Sequence, residues 1–281
     1  MRTVHSVLEL RAAVADLRRA GEQVGFVPTM GNLHDGHYAL VRLARERAGR
    51  VVASVFVNPT QFGPREDFGA YPRTLEADAM GLAQHGCDLI FAPSMADMYP
   101  EGTEGHTQVI VPGLGDVLCG ASRPGHFAGV AMVVAKLFNL VRPDLAVFGQ
   151  KDYQQLLVIR RMARDLGFPV EIVGAPTVRE PSGLAMSSRN QYLDASQREQ
   201  AAAIYRTLGE MAGAVRAMAP LPEIEAAAGR RLEASGLQPE YAVLRRAGDL
   251  QAPGPDEREG LVALIAARLG RARLIDNLLI S

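Results

Sequence analysis

The chain of 281 residues has few lysines, few cysteines, no excess of either charge and no long uninterrupted apolar run. Each lack excludes something. Two cysteines, Cys87 and Cys119, can build neither a disulfide framework nor a metal cluster, and both read as packing residues in a reducing cytosol. With 30 basic against 31 acidic residues and a formal net charge of −1, the chain lacks the basic excess of nucleic-acid binders. The apolar stretch Gly129 to Val141 is interrupted by Lys136 and Asn139 and falls short of a membrane span. Glu9, Arg11 and Asp16 interrupt what would be the apolar region of a signal peptide, so no leader is expected. A globular protein of the cytoplasm remains, long enough that two domains with separate cores are expected.

The scarcity of lysine is itself informative. Arginine is the default cation here, so Lys136 and Lys151 each ask for a reason. A compact ammonium on a flexible stem suits a moving phosphate better than a planar guanidinium fork. Lys151, in Phe148-Gly149-Gln150-Lys151-Asp152, stands where a strand ends and a helix starts and reads as functional. Lys136, mid-helix on an apolar stretch, reads as structural, snorkelling or capping a polar neighbour.

The densest pattern is Val27-Pro28-Thr29-Met30-Gly31-Asn32-Leu33-His34-Asp35-Gly36-His37. A short buried strand leads into it, and Tyr38, Leu40, Val41, Leu43 and Ala44 follow at helical spacing, so the histidines sit where a helix begins. Free N–H groups and the partial positive charge there favour phosphate, and imidazoles three residues apart share one face. An H-x-x-H pair also reads as half of a metal site. Neither a cysteine cluster nor an HExxH pattern supplies the other half.

Strands and helices alternate through the first 180 residues. Ser6 with Glu9 forms a capping box that opens a helix to Ala20. Strands are expected at Val24 to Val27, Val51 to Val57, Asp88 to Ala92, Leu145 to Phe148 and Val170 to Val173, with helices at Gly36 to Ala48, Thr74 to His85, Gly129 to Val141 and Tyr153 to Leu166. Such alternation predicts an α/β fold with a parallel, doubly wound sheet and ligands at the strand C-terminal ends. After Thr177 the pattern changes: Ser196 with Glu199 caps a long Ala-rich helix, a second helix covers Glu223 to Ala234, and Tyr241 to Leu244, Leu261 to Ala267 and Arg273 to Ile280 read as strands. The expected domains are 1–177 and 178–281, the second a smaller α+β unit.

Three more constellations lie at strand ends or in the connecting segment. Asn58 and Gln61 in NPTQF could bind a substrate bearing hydroxyl and carboxylate groups, or simply cap a turn. Asp152 and Gln155 fit a capping pattern, so Gln155 reads as a ligand or as a cap partner. Met186-Ser187-Ser188-Arg189-Asn190 offers hydroxyls, N–H groups and a guanidinium to a triphosphate, and equally reads as an ordinary loop.

Taken together, PTMGNLHDGH (Pro28 to His37), FVNPTQF (Phe56 to Phe62), YPRTLEAD (Tyr71 to Asp78), RPGHFAGV (Arg123 to Val130), FGQKDYQQ (Phe148 to Gln155), GLAMSSRN (Gly183 to Asn190) and the closing RLIDN (Arg273 to Asn277) resemble the pantoate–β-alanine ligase family over essentially the whole chain. Gln150 stands where some members carry Glu. The resemblance implies a Rossmann-like nucleotidyltransferase fold of the HxGH type with a C-terminal lid domain, a homodimer, and ATP-dependent joining of (R)-pantoate to β-alanine through a pantoyl adenylate. It implies His37 as proton donor, with His34 and Lys151 stabilising phosphoryl charge. ATP would be held by Met30, Gly31, His34, Gly36, His37, Gly149, Gln150, Lys151, Asp152, Val178, Met186, Ser187, Ser188 and Arg189, the last three resembling a KMSKS-type loop. Pantoate falls to Gln61, Gln155, Pro28, Met30 and Val130, and β-alanine to Gln61. Mg²⁺ is expected with ATP, Asp78 serving as an outer ligand. Other HxGH enzymes share the first block but not NPTQF or FGQKD, and a non-catalytic descendant would be expected to have lost one of His34, His37, Lys151 or Arg189.

Overall fold

The computed structural model describes residues 1–64, 66 and 68–280. Contacts divide the chain into two units, Met1–Gly149 with Gln155–Ala175, and Gln150–Gln154 with Pro176 onwards. The turn carrying Lys151 thus packs with the second unit, although its sequence neighbours belong to the first.

The first unit runs β1 (Arg2–Val4), α1 (Val7–Arg19), β2 (Val24–Thr29), α2 (Asp35–Arg47), β3 (Arg50–Val55), α3 (Leu75–Gln84), β4 (Leu89–Phe91), α4 (Met95–Met98), α5 (Cys119–Ser122), α6 (His126–Val141), β5 (Leu145–Gly149), α7 (Tyr153–Asp165) and β6 (Glu171–Ala175). All six strands are parallel, in the order β1-β4-β3-β2-β5-β6. From β2 the chain winds outward through β3 and β4, and from β5 it winds the other way to β6. The strand order therefore reverses between β2 and β5, where a doubly wound sheet opens a crevice for ligands. Neighbouring residues of β2 are buried on opposite faces: Val27 packs with Leu40, Val41 and Ala44 of α2, while Phe26 meets Phe138 of α6 edge-on. Coverage on both sides explains why the strands read as continuous apolar runs. The Ser6–Glu9 capping box opens α1 as expected. The short elements β1, α4 and α5 carry too few residues for a periodic signal.

The second unit continues with α8 (Ala195–Ala201), α9 (Ala203–Arg216), α10 (Leu221–Ala234), β7 (Gln238–Arg246), β8 (Leu261–Leu269) and β9 (Ala272–Ile280). Its three strands are antiparallel in the order β7-β8-β9. Leu208, Met211 and Val215 of α9 and Ile224 and Leu232 of α10 pack with Leu244, Ala263 and Ile265 of the sheet. Here the capping expectation needs correcting. Asp194 and Gln197, not Ser196 and Glu199, form the box, and the Ala-rich helix is interrupted at Ala202. Both tetrads satisfy the D/S-x-x-Q/E pattern; the earlier one wins because the helix has already begun at Ala195.

Candidate active site

In the first unit, the candidate residues gather at the exit of β2. A proline inside a central strand would ordinarily break the ladder. Alternation explains how Pro28 is accommodated: the Thr29 carbonyl accepts from Phe56 beyond β3, the Val24 carbonyl accepts from Asp144 before β5, so Pro28 faces β5, with which pairing ends at Phe26. Beyond Met30 the chain turns through Gly31 (φ +83°) and Asn32 (φ +52°), both left-handed. A Cβ on Gly31 would lie 3.0 Å from the Asp78 carboxylate, so the left-handed conformation calls for glycine and the space around it is tight.

Asp78 is buried. Its carboxylate accepts from the amides of Asn32 (3.0 Å) and Leu33 (2.8 Å) and from the Thr74 hydroxyl (3.1 Å). Both oxygens thus hold the loop ahead of His34. Among the described residues no group of three or more His, Cys, Asp or Glu side chains could hold a metal ion.

His34 caps α2, its Nδ1 accepting from the Gly36 amide (3.2 Å), while Nδ1 of His37 accepts from the His34 amide (3.3 Å). The rings lie 4.1 Å apart between centroids. Since each Nδ1 accepts, a neutral imidazole at either position carries its proton on Nε2. Backbone capping therefore fixes the tautomer and makes each Nε2 a donor at the helix start, where partial positive charge already gathers.

Next to this exit stands a cluster of amides. Asn58 is buried, with Nδ2 donating to the Gly129 carbonyl (3.1 Å) and to Gln61 Oε1 (3.2 Å), and Oδ1 accepting from Tyr99 Oη (2.8 Å). Asn58 is therefore a brace, and Gln61 the residue it orients. Gln61 Nε2 reaches Met30 Sδ at 3.0 Å, which joins two of the expected pantoate residues directly. Gly129 lets α6 close on this turn, for a Cβ there would lie 2.2 Å from the Thr60 carbonyl. Val130, the following residue, is buried on α6. A cavity of about 340 Å³ opens beside Met30 and Gly31, lined also by Phe56, Arg73 and Met95. Gln155 stands half-buried in the first turn of α7, and among the described residues no hydrogen bond joins it to the Met30–Gln61 pair. Lys136 donates to the Met98 carbonyl and lies over the Tyr99 ring, the structural part expected of it. Cys87 and Cys119 are free and buried, and burial pushes the Cys87 thiol up to about 12.

In the second unit, the turn that carries Lys151 takes its supports from β9. Asn277 Nδ2 donates to the carbonyls of Gln150 and Lys151, both at 2.9 Å, and so holds the turn that carries the lysine. Asp276 is buried and receives a two-pronged bond from Arg179 (2.5 and 3.0 Å). Burial pushes the Asp276 carboxyl up, opposed by the Arg179 fork, the Asn277 amide and the charge of Lys151. Arg179 also donates to the Gly183 carbonyl (3.1 Å) and stacks on Tyr205 (3.8 Å), anchoring the short antiparallel turn in which Met186 N donates to the Val178 carbonyl (3.0 Å). Ser187 caps the turn Ser188–Tyr192 by accepting from the Arg189 amide (3.2 Å). Arg179, Asp276 and Asn277 had no assigned role in the sequence, where only their membership of the GLAMSSRN neighbourhood and the RLIDN block marked them.

A doubly wound parallel sheet with an HxGH helix start at its order reversal, joined in one chain to a serine- and arginine-bearing turn, defines the class of nucleotide-using, phosphoryl-activating enzymes. Comparison narrows the class: residues 2–279 match the family described as pantoate-beta-alanine ligase, and the chain belongs to it. A pantothenate synthetase of Thioalkalivibrio sulfidiphilus is 59% identical over 279 residues, covering 99% of this chain and 97% of the relative. The crystal structure of pantothenate synthetase from Thermus thermophilus superposes with a TM-score of 0.93 at 51% identity, covering 100% of this chain and 99% of that one. That of the Francisella tularensis pantoate-beta-alanine ligase, complexed with beta-gamma ATP and beta-alanine, gives 0.83 at 32% identity, over 99% and 97%.

Proposed function

We propose that the protein condenses pantoate with β-alanine in two steps. A carboxylate is a poor acylating agent because its leaving group would be oxide. The pantoate carboxylate first attacks the α-phosphorus of ATP and pyrophosphate departs; the β-alanine amine then attacks the acyl carbon and AMP leaves. ATP-dependent condensation of these substrates is the family's activity. The observation that carries the reading is the pair of capped imidazoles, which present Nε2 donors on a helix start at the switch point.

Negative charge grows on the phosphoryl oxygens and on pyrophosphate, so fixed donors there lower the barrier. His34 and His37 fill that role from the first unit, His37 as the proton donor, with Met30, Gly31, Gly36 and Gly149 beside the nucleotide. Lys151 fills it from the second, with Gln150, Asp152 and Val178 toward the adenosine and Met186, Ser187, Ser188 and Arg189 toward the β and γ phosphates. Gln61 and Gln155 bind pantoate's oxygens; Pro28, Met30 and Val130 receive its methyl groups, and Gln61 also serves β-alanine. Residues 178–281 act as the lid that keeps water from the adenylate.

The described residues do not form a cage for Mg²⁺. The ion expected with ATP is one brought by the phosphates, and no step above depends on it. A cytoplasmic homodimer acting on small molecules, away from nucleic acid and membrane, completes the proposal; no described helix is long and apolar enough to cross a membrane. ATP–pyrophosphate exchange with pantoate as the only acyl acceptor tests it. Exchange is expected with pantoate alone and AMP release only after β-alanine is added; absence of exchange despite nucleotide binding would contradict the adenylate.

A further inference from the structure

Beside Gln61 lies a charged cluster to which the roles above assign nothing. Arg123 clasps Glu66 in a two-pronged ion pair, Nε to one oxygen and Nη2 to the other, both at 2.6 Å. Its Nη1 donates to His126 Nε2 (2.9 Å), and His126 Nδ1–H donates to the Gln61 carbonyl (2.8 Å), which Arg123 Nη2 also approaches (3.4 Å). A guanidinium can only donate and a carbonyl can only accept, so His126 carries its proton on Nδ1 and serves to orient the fork. Burial alone would push the Glu66 carboxyl up; the Arg123 bonds and charge outweigh it and hold the group below its ordinary value.

We propose that Arg123 is the receptor for the β-alanine carboxylate, positioned by His126, and that Glu66 occupies the fork when the amino acid is absent. This rests on the ligase reading above. The first support is chemical likeness. From Cβ outward, glutamate is two methylenes ending in a carboxylate, the same chain that β-alanine carries beyond its nitrogen. A second is accessibility: the side chains of Arg123 and Glu66 are 19% and 25% exposed, so the pair is shielded enough to be strong yet open to exchange. One carboxylate can replace another without leaving the guanidinium unpaired, which would be costly in a half-buried site.

The reaction itself discriminates between the two carboxylic substrates. Pantoate's carboxylate is the nucleophile of the first step, and a guanidinium clasp would withdraw the electron density it must supply. β-Alanine's carboxylate does not react, so it can be gripped throughout the second step. Only its amine must be free. A fork at this place would also reject amines that lack the acid, because Arg123 would then gain nothing from their entry.

Kinetics of the full protein test the assignment, with the β-alanine KM taken from the complete reaction and the pantoate KM from pyrophosphate exchange. Arg123→Ala is expected to raise the β-alanine KM roughly 10²-fold, the loss typical of a two-pronged charged pair. The pantoate KM in exchange should move less than about twofold, as expected for a pair that substrate does not meet. Preference for β-alanine over propylamine should collapse in the same variant. Arg123→Lys should recover part of both, and carries the test if the alanine variant does not fold. Glu66→Gln, which removes the competing charge, should lower the β-alanine KM. An unchanged β-alanine KM and selectivity in both Arg123 variants, or a rise confined to pantoate, would overturn the assignment. A higher β-alanine KM in Glu66→Gln would overturn the stand-in role. Wild-type protein without pantoate-dependent exchange would instead remove the ligase reading on which the proposal rests.

Discussion

The helix start at His34 and the turn at Lys151 both carry side chains proposed to stabilise phosphoryl charge, but they are held in opposite ways. Around His34 most supports are local: two imidazoles cap one another's backbone within four residues, and Asp78 on α3 ties the loop before them. Around Lys151 the supports come from far along the chain, Asn277 gripping the turn's carbonyls and Asp276 gripping the arginine that anchors the segment from Val178 to Met186. In the first region the side chains that shape the backbone are the ones to which the proposal gives the chemistry. In the second those duties fall to different residues, so support and chemistry can be separated by mutation.

The largest effect expected of that separation is at Lys151. Lys151→Ala should lower the rate of adenylate formation by roughly 10²-fold or more, as for other fixed charge stabilisers, while its turn stays held through backbone carbonyls. Rapid-quench measurement of pantoyl adenylate reads this directly, with melting unchanged. Weaker ATP binding at unaltered turnover would place the lysine outside the chemistry.

Asp276→Asn should act mainly on stability. Removing one member of a buried charged pair leaves Arg179 uncompensated, a cost of about 3–5 kcal/mol. Denaturant unfolding should show the loss, together with a raised KM for ATP. A variant as stable as wild type would mean that β9 does not support the Val178 to Met186 segment.

Asp78→Asn should cost less, about 1–3 kcal/mol, because one amide oxygen still accepts but the charge and the second acceptor are lost. The concentration of Mg²⁺ giving half-maximal rate should stay where it is. A marked shift in that concentration at unchanged stability would assign Asp78 to the metal.

The same contrast explains what could be read before the structure. HxGH is legible because strand end, cap and helix face occupy one short stretch, and sequence periodicity reports all three. Even there, the Nδ1 caps that set the tautomer needed coordinates. The alternation of strands and helices gave the doubly wound sheet, since coverage on both faces leaves unbroken apolar runs. Asp276 and Asn277 could not be assigned, because their partners lie about a hundred residues away and a strand pattern says nothing of what its polar members hold. The hold of Asp78 on its loop was hidden for a related reason: an acidic residue in a polar block looks the same whether it awaits a cation or accepts backbone amides. The capping box slipped from Ser196 to Asp194 because two overlapping tetrads satisfy one rule.

The central claim is that His37 holds the backbone with Nδ1 and serves ATP with Nε2. Asparagine places its amide near the first nitrogen's position and has nothing at the second, so His37→Asn separates the two duties. Single-turnover adenylate formation in this variant, beside its melting temperature, is the most direct test. The account predicts a fall of roughly 10²-fold or more in rate with melting nearly unchanged. Adenylate formed at the wild-type rate would contradict it.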